Sequence, residues 1–346
     1  MQVGGDVTEI QFGLMIRGQF PQGDDLAVRF DEICAQARLA ERSGFTCITK
    51  GSHYASAPLQ DFQQIPFLSR LAAEVPSCRL NAGIVLLSLH KPLDIAEQIA
   101  TLDVMSKGKA IFGCALGYRE VEFLAFGTTQ RERVPRLEES LEVIKRLWAG
   151  ETVSMTGSHF ELKEARTGIV PVQKPHPPIW MGANDDPAIK RAARLADCWY
   201  IPPHNRVDTI VRQLDVYKRE LERVDRPFPQ ELPIRREVFV ARTRAQALRL
   251  CGPSLALKYK TYDSWGQSDT LEDGDTLARE LEALIEGRFI IGSPEEVADE
   301  IIELARTTGV NNVILSIHWP GMEIEVANDA IALFGEEVIP KVRQGL

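Results

Sequence analysis

Short, almost wholly apolar runs alternate with longer amphipathic segments along nearly the whole 346-residue chain. The runs predict strands at 10–16, 45–49, 80–87, 110–116, 178–182, 198–202, 237–241 and 312–317. Continuous apolar character, in place of strict alternation, marks strands buried on both faces, as in a parallel sheet covered by helices. Between the runs, residues 25–43 predict a helix stopped by Gly44, and Leu93, Ala96, Ile99 and Leu102 recur at helical spacing. Leu137, Leu141, Ile144 and Leu147 form a further stripe. Ser293-Pro294-Glu295-Glu296 sets a capping serine, a proline in the first turn and a glutamate three residues after the cap. About eight strands separated by helices is what a closed parallel barrel requires. The expected fold class is therefore α/β, a (β/α)8 TIM barrel with insertions.

Two stretches break the rhythm. Residues 151–162 read as a small inserted hairpin turning at Thr156-Gly157. Residues 253–288 are polar, carry Tyr259, Tyr262 and Trp265, include an EDGD run at 272–275, and read as a lid-like insertion before the last strand. No linker or internal repeat interrupts the pattern, so one domain over 1–346 is expected. The composition, 44% hydrophobic and 26% charged, excludes disordered and collagen-like classes. A net charge of −9 without a Lys/Arg block argues against nucleic acid or an anionic membrane as partner. No apolar run approaches the ~18 residues of a membrane span. The first residues lack the basic-then-apolar pattern of a secretory signal, and six cysteines lie without a CxxC pair. Reduced thiols, a cytoplasmic location and no structural metal follow as expectations.

In such a barrel the active site forms at the C-terminal ends of the strands. The residues that follow each run are Lys50-Gly51-Ser52-His53-Tyr54, Gly113 to Tyr118, Gly182-Ala183-Asn184-Asp185-Asp186-Pro187, Pro202-Pro203-His204-Asn205 and His318-Trp319-Pro320-Gly321. His53 is the candidate proton carrier, because imidazole titrates near neutral pH; a structural hydrogen-bonding role is its alternative. His90 and His318 rank below it, and His204 equally suits a helix cap. Residues 182–187 open a helix, with Asp186 read as the cap before Pro187. Free N–H groups and the helix dipole there make an anion site, against which Asp185 and Asp186 act. The chain carries no HExxH, GxSxG, Walker or GxGxxG motif.

Three blocks, in order, resemble the bacterial luciferase-like family of flavin-dependent oxidoreductases. They are LDIAEQIATLDVMSKGKAIFGCALGYREVEFLAFG at 93–127, HPPIWMGANDDPAIKRAARLADCWYIPPHN at 176–205, and FIIGSPEEVADEI with GVNNVIL and EEVIP near the C-terminus. The resemblance runs from Ile10 to Pro340 and implies a flavin lying across the top of the barrel. Its phosphate would sit near Gly182, Ala183, Asn184 and Asp185. Gly83 and Ile84 match the third-strand bulge beneath the isoalloxazine, a non-prolyl cis peptide in many members. Ala115, Gly117 and Tyr118 match the wall of the site, and His53 matches an acid/base beside the flavin. Ser52 stands where many members carry an acidic residue, which implies a less oriented His53. Leu116 stands where members offer an arginine and Asp185 where serine is frequent, so phosphate binding would lean on backbone N–H groups.

The activity the resemblance implies is oxidation of a small organic substrate by oxygen and reduced FMN. With no dinucleotide motif in the chain, a separate NAD(P)H:flavin reductase would supply the reduced FMN. A deazaflavin-dependent dehydrogenase or reductase, using a deazaflavin coenzyme, is the alternative on the same fold. A non-enzymatic flavin-binding protein is a second. A homodimer paired through flanking helices is also implied.

Overall fold

The computed structural model describes residues 7, 9–271 and 275–346. Most of the N-terminal segment in which no signal was read, and 272–274 of the EDGD run, lie outside the described residues. Among the described residues, eight parallel strands make the core: β1 (Gln11–Met15), β2 (Cys47–Lys50), β3 (Arg79–Leu86), β4 (Ala110–Ala115), β5 (Ile179–Gly182), β6 (Cys198–Tyr200), β7 (Pro233–Val240) and β8 (Asn312–Ser316). They pair in the order β6-β5-β4-β3-β2-β1-β8-β7. The two ends meet where Ile201 bridges Ile234: Ile201 N–H donates to Pro233 O and Arg235 N–H to Ile201 O, both at 2.9 Å. A short strand, Ile290–Gly292, continues the pairing along Val238–Val240 of β7. The sheet is thus curled into a barrel, and its strands are buried almost throughout, which is why they read as unbroken apolar runs.

The helices follow their local signals. α1 (Leu26–Arg42) starts at Asp25, whose carboxylate accepts from the N–H groups of Ala27 and Val28, and Gly44 leaves it at φ +91°. α2 (Pro92–Met105) and α3 (Arg133–Trp148) bury the two predicted leucine-rich stripes. α4 (Asp186–Leu195) and α5 (Val207–Arg223) follow β5 and β6. After β7 come α6 (Arg244–Ser264) and α7 (Pro294–Thr308), the latter opened by the Ser293/Glu296 capping box and closed by Gly309 at φ +79°. All six cysteines are buried and free. Among the described residues no helix is long and apolar enough to cross a membrane.

Three boundaries differ from expectation. β7 begins at Pro233, ahead of the predicted start at Glu237, because Arg235 and Arg236 hid its apolar character. Arg236 is nevertheless buried, its guanidinium donating to the carbonyls of Pro203 at 3.2 Å and Asn205 at 3.1 Å. The inserted hairpin pairs Val153–Thr156 with Glu161–Ala165, somewhat past Leu162. Pro253 does not open a polar excursion; it lies inside α6, which continues to Ser264. Cys251, Leu255 and Tyr259, spaced by four and buried, hold the helix through the proline. Among the described residues of the insertion, the irregular ones lie beyond Trp265, where a short helix, Leu281–Ile285, interrupts them.

Gly113 of β4 packs where no side chain fits: a Cβ there would lie 2.7 Å from Ala82 O and 2.9 Å from Gly83 Cα. Gly113→Ala should destabilise the protein by about 1–3 kcal/mol through this overpacking. A thermal melt lowered by several degrees checks it; an unchanged melt would mean that the β3–β4 contact is looser than described.

Candidate functional site

The C-terminal ends of the strands surround a cavity of about 260 Å³. His53, Gly83, Ile84, Ala115, Gly117, Tyr118, Gly182, Ala183, Asn184 and Asp185 all line it, so the structure brings every sequence-predicted site residue to one place. The β3–β4 register shifts between Ala82 and Val85, and the Gly83-Ile84 peptide within that bulge is cis. The floor is tight: a Cβ on Gly182 would lie 2.9 Å from Ile84 Cδ1, and that side chain would have to shift.

His53 follows β2 and is oriented from outside its own strand. Its Nδ1 lies 3.3 Å from Oε1 of Glu122, a carboxylate only 1% exposed. The same oxygen accepts from Tyr54 N–H at 2.9 Å and from Arg119 Nη1 at 3.3 Å. Burial pushes the Glu122 carboxyl up, but the His53 and Tyr54 hydrogen bonds and the Arg119 charge outweigh it and hold it below the usual range. The geometry assigns the ring proton to Nδ1, facing the carboxylate, and leaves Nε2 as the nitrogen available to a ligand. The rings of Tyr118, Tyr262 and Trp265 stand edge-on to His53 at 6.4, 6.2 and 5.5 Å. The expectation of a poorly oriented His53, drawn from Ser52, is corrected: Glu122 does the orienting. Its only sequence signal is the Arg119-x-x-Glu122 spacing just after β4.

At the opposite end, the cap of α4 is Asp185 and not Asp186. Asp185 is still extended, and its carboxylate accepts from Ala188 N–H at 2.8 Å. Asp186 is already helical and pairs with Arg212 through two bonds of 3.0 and 2.9 Å. Asn184 Nδ2 donates to Thr270 Oγ1 at 3.0 Å, which ties the segment beyond α6 to the cavity wall. Arg133, which sequence reasoning missed, also lines the cavity and donates to Gly117 O at 3.3 Å. It puts a cation beside the Leu116-Gly117 stretch of the wall.

Three buried polar atoms on this cavity, Tyr118 OH, Tyr200 OH and His204 Nδ1, have no hydrogen-bond partner among the described residues. Burial raises both phenols, so each keeps an O–H to donate. Buried polar groups are normally satisfied, so this wall fits a ligand with acceptor groups along its edge. Burial, with Arg235 and Lys258 nearby, holds His204 well below the usual histidine range and hence neutral. His318 is lowered to about 3 by burial and by Arg17. His90 lies away from the cavity, with its Nε2 3.1 Å from Tyr54 OH.

A second cavity of about 420 Å³ meets the first at Gly51, His53, Arg235 and Tyr262. Among the described residues no cluster of His, Cys, Asp and Glu could hold a metal ion.

The luciferase-like monooxygenase family model matches residues 10–312. The chain belongs to this family. It is an oxidoreductase. The oxygenase component of a flavin-dependent trigonelline monooxygenase from Acinetobacter baylyi is 24% identical over 297 residues, 82% of this chain and 76% of that one. An FMNH2-dependent dimethylsulfone monooxygenase from Pseudomonas putida is 24% identical over 341 residues, 89% and 86% of the two chains. An uncharacterized protein of Sinorhizobium fredii is 30% identical over 171 residues; the match spans 49% of this chain and half the length of that relative. Among solved structures, the monooxygenase RslO1 from Streptomyces bottropensis superposes with a TM-score of 0.84 at 22% identity, covering 96% and 99% of the chains. The coenzyme F420-dependent tetrahydromethanopterin reductase of Methanopyrus kandleri gives 0.74 at 21% identity, covering 96% and 99%. At these identities the superpositions show the shared fold.

Glu122→Gln should weaken three charge-assisted hydrogen bonds and destabilise the protein at pH 7 by about 1.5–3 kcal/mol. The folded Glu122 carboxyl lies below its ordinary value of 4.5. Its contribution is therefore complete above that value and lost as pH falls through the folded value. Chemical denaturation from pH 7 downward should show the gap between wild type and variant narrowing in acid; a constant gap would contradict the assignment.

Proposed function

We propose that the chain is the oxygenase of a two-component system that uses reduced FMN and oxygen to oxidise a small organic substrate. The observation that carries this reading is the first cavity, lined by His53, Arg133 and two tyrosines whose buried hydroxyls have no partner among the described residues, in a chain of this family. The residues fit a flavin mononucleotide. Arg133 and the start of α4 would hold the phosphate, against the charge of Asp185. The Tyr118 and Tyr200 hydroxyls would donate to polar edges of the ring system, above the floor of Ile84, Ala115 and Gly182. When bound, reduced FMN supplies the electrons and activates oxygen for insertion into the substrate.

The chain's own groups have three tasks in that reading. Ile84, Leu86 and Ala115 keep water from the ring. Tyr262 and Trp265, stacked with centroids 5.6 Å apart, cover His53 from the α6 side. His53 Nε2 holds or delivers a proton at the junction of the two cavities, and Glu122 keeps the imidazole turned for it. A separate flavin reductase as partner is supported by the relative named as an oxygenase component and by the lack of a dinucleotide motif in the chain.

Titrating the protein with FMN and with coenzyme F420, followed by oxygen uptake with each reduced form, tests the reading. Tighter binding of FMN and oxygen consumption with its reduced form are expected. Preferential binding of F420 without oxygen uptake would replace the proposal with a hydride-transferring reductase. Once a substrate is in hand, His53→Ala should keep folding and FMN affinity but lower product formation by about 10²–10⁴ and raise hydrogen peroxide release. Lost stability with normal turnover would make His53 structural.

A further inference from the structure

The residues that line the second cavity carry an imbalance of charge. Arg17, Lys50, Arg235 and Lys258 line it, and among the described residues no carboxylate does. The balancing acids stand behind the wall. Asp61 meets Lys50 at 2.8 Å. Glu237 meets Lys258 at 2.5 Å and lies 3.6 Å from Arg235, so one carboxylate faces two cations. Arg17 has no ion-pair partner among the described residues. Its donors go to Gln19 O at 2.7 Å, His318 Nε2 at 3.0 Å and Met322 O at 3.3 Å. His318 accepts this bond as a neutral ring and returns no negative charge. Asp24, Glu32 and Glu323 act on Arg17 only through space, against the repulsion of Arg29.

Two positive charges on this wall thus lack a matching acid in contact: Arg17, and one of the pair Arg235 and Lys258. A partly desolvated cation held only by neutral groups, as Arg17 is by these acceptors and by the Phe20 ring 4.6 Å from its guanidinium, gains more from an anionic ligand than from a neutral one. The remaining wall is apolar, with Met15, Leu59, Leu257 and Trp319. A cavity of about 420 Å³ is of the size that holds a small molecule.

We propose that the second cavity binds the anionic end, a carboxylate or sulfonate, of a small organic substrate, with Arg17 and Arg235 as its anchors and the apolar body directed toward His53. The inference rests on the oxygenase reading for the word substrate, but the binding preference is independent of it. Arg235 lies on both cavities, so an anion held there also fixes the distance of the substrate from the first cavity.

The test is calorimetric titration of the flavin-free protein with benzoate, benzenesulfonate and neutral benzamide, with FMN affinity measured separately. At least one anion should bind about tenfold or more tightly than benzamide, the worth of a charge-assisted hydrogen bond, and the preference should shrink as salt is raised. Benzoate alone binding would assign a carboxylate, and benzenesulfonate alone a sulfonate. Arg17→Gln should abolish the preference without changing FMN affinity, and Arg17→Lys should retain most of it. Arg235→Gln, on β7, should likewise abolish the anion preference should Arg17→Gln fail to fold; because Arg235 also lines the first cavity, FMN affinity is not the readout for that variant. The proposal is overturned if benzamide binds as tightly as the anions, if neither anion binds up to about 10 mM, or if Arg17→Gln reduces FMN affinity instead. FMN binding without anion preference would leave the oxygenase reading standing alone. Anion preference without FMN binding would do the reverse.

Discussion

Closure of the sheet between β6 and β7 is the constraint on which the site depends. Ile201 stands past the last residue of β6 and shares two backbone hydrogen bonds with the start of β7. That contact makes the sheet a ring, and a ring of parallel strands must deliver all its C-terminal ends to one rim. His53 after β2, Tyr118 after β4, Asn184 after β5 and His204 after β6 are far apart in the chain, yet they line one cavity. Arg235 belongs to β7 beside the closing bridge, so the junction that seals the barrel also puts a cation between the two cavities.

The rim is polar in a particular way. Its buried charges are held in small sets, each arranged by a neighbour's shape or by backbone groups. Glu122 collects His53, Arg119 and Tyr54 N–H. Glu237 collects Lys258, Tyr259 OH and the Trp319 indole. Lys50 meets Asp61 and fills the space left at Gly18, where a Cβ would lie 2.1 Å from Lys50 Cε. Buried ion pairs of this kind add little net stability against apolar replacements. Their effect here is positional: each fixes a side chain that faces one of the cavities.

The strands were legible because parallel strands buried on both faces must be apolar throughout, and most of the site was legible because residues after such strands share a rim. The failures have physical causes. Arg235 and Arg236 are strand residues held by tertiary partners, Ser316 and Glu237 for one and backbone carbonyls for the other, so a reading by hydrophobicity placed β7 too late. Glu122 and Arg133 belong to elements after β4, and nothing in their local sequence says which strand end they approach. Asp185 and Asp186 are equally good caps by residue type; which of them remained extended was decided by the path of the chain out of β5. Pro253 marked a break that the packing of α6 overrides. The charge of the second cavity is invisible in the sequence because Arg17, Lys50, Arg235 and Lys258 come from four separate segments.

The central claim is that the first cavity, with its unpartnered phenols and Arg133, is the flavin site. A crystal structure of the protein soaked with FMN tests it most directly. The account predicts the phosphate between Arg133 and the start of α4, and ring-system atoms within hydrogen-bonding distance of Tyr118 OH or Tyr200 OH. FMN seated in the second cavity, or both phenols still without a partner in the complex, would contradict it.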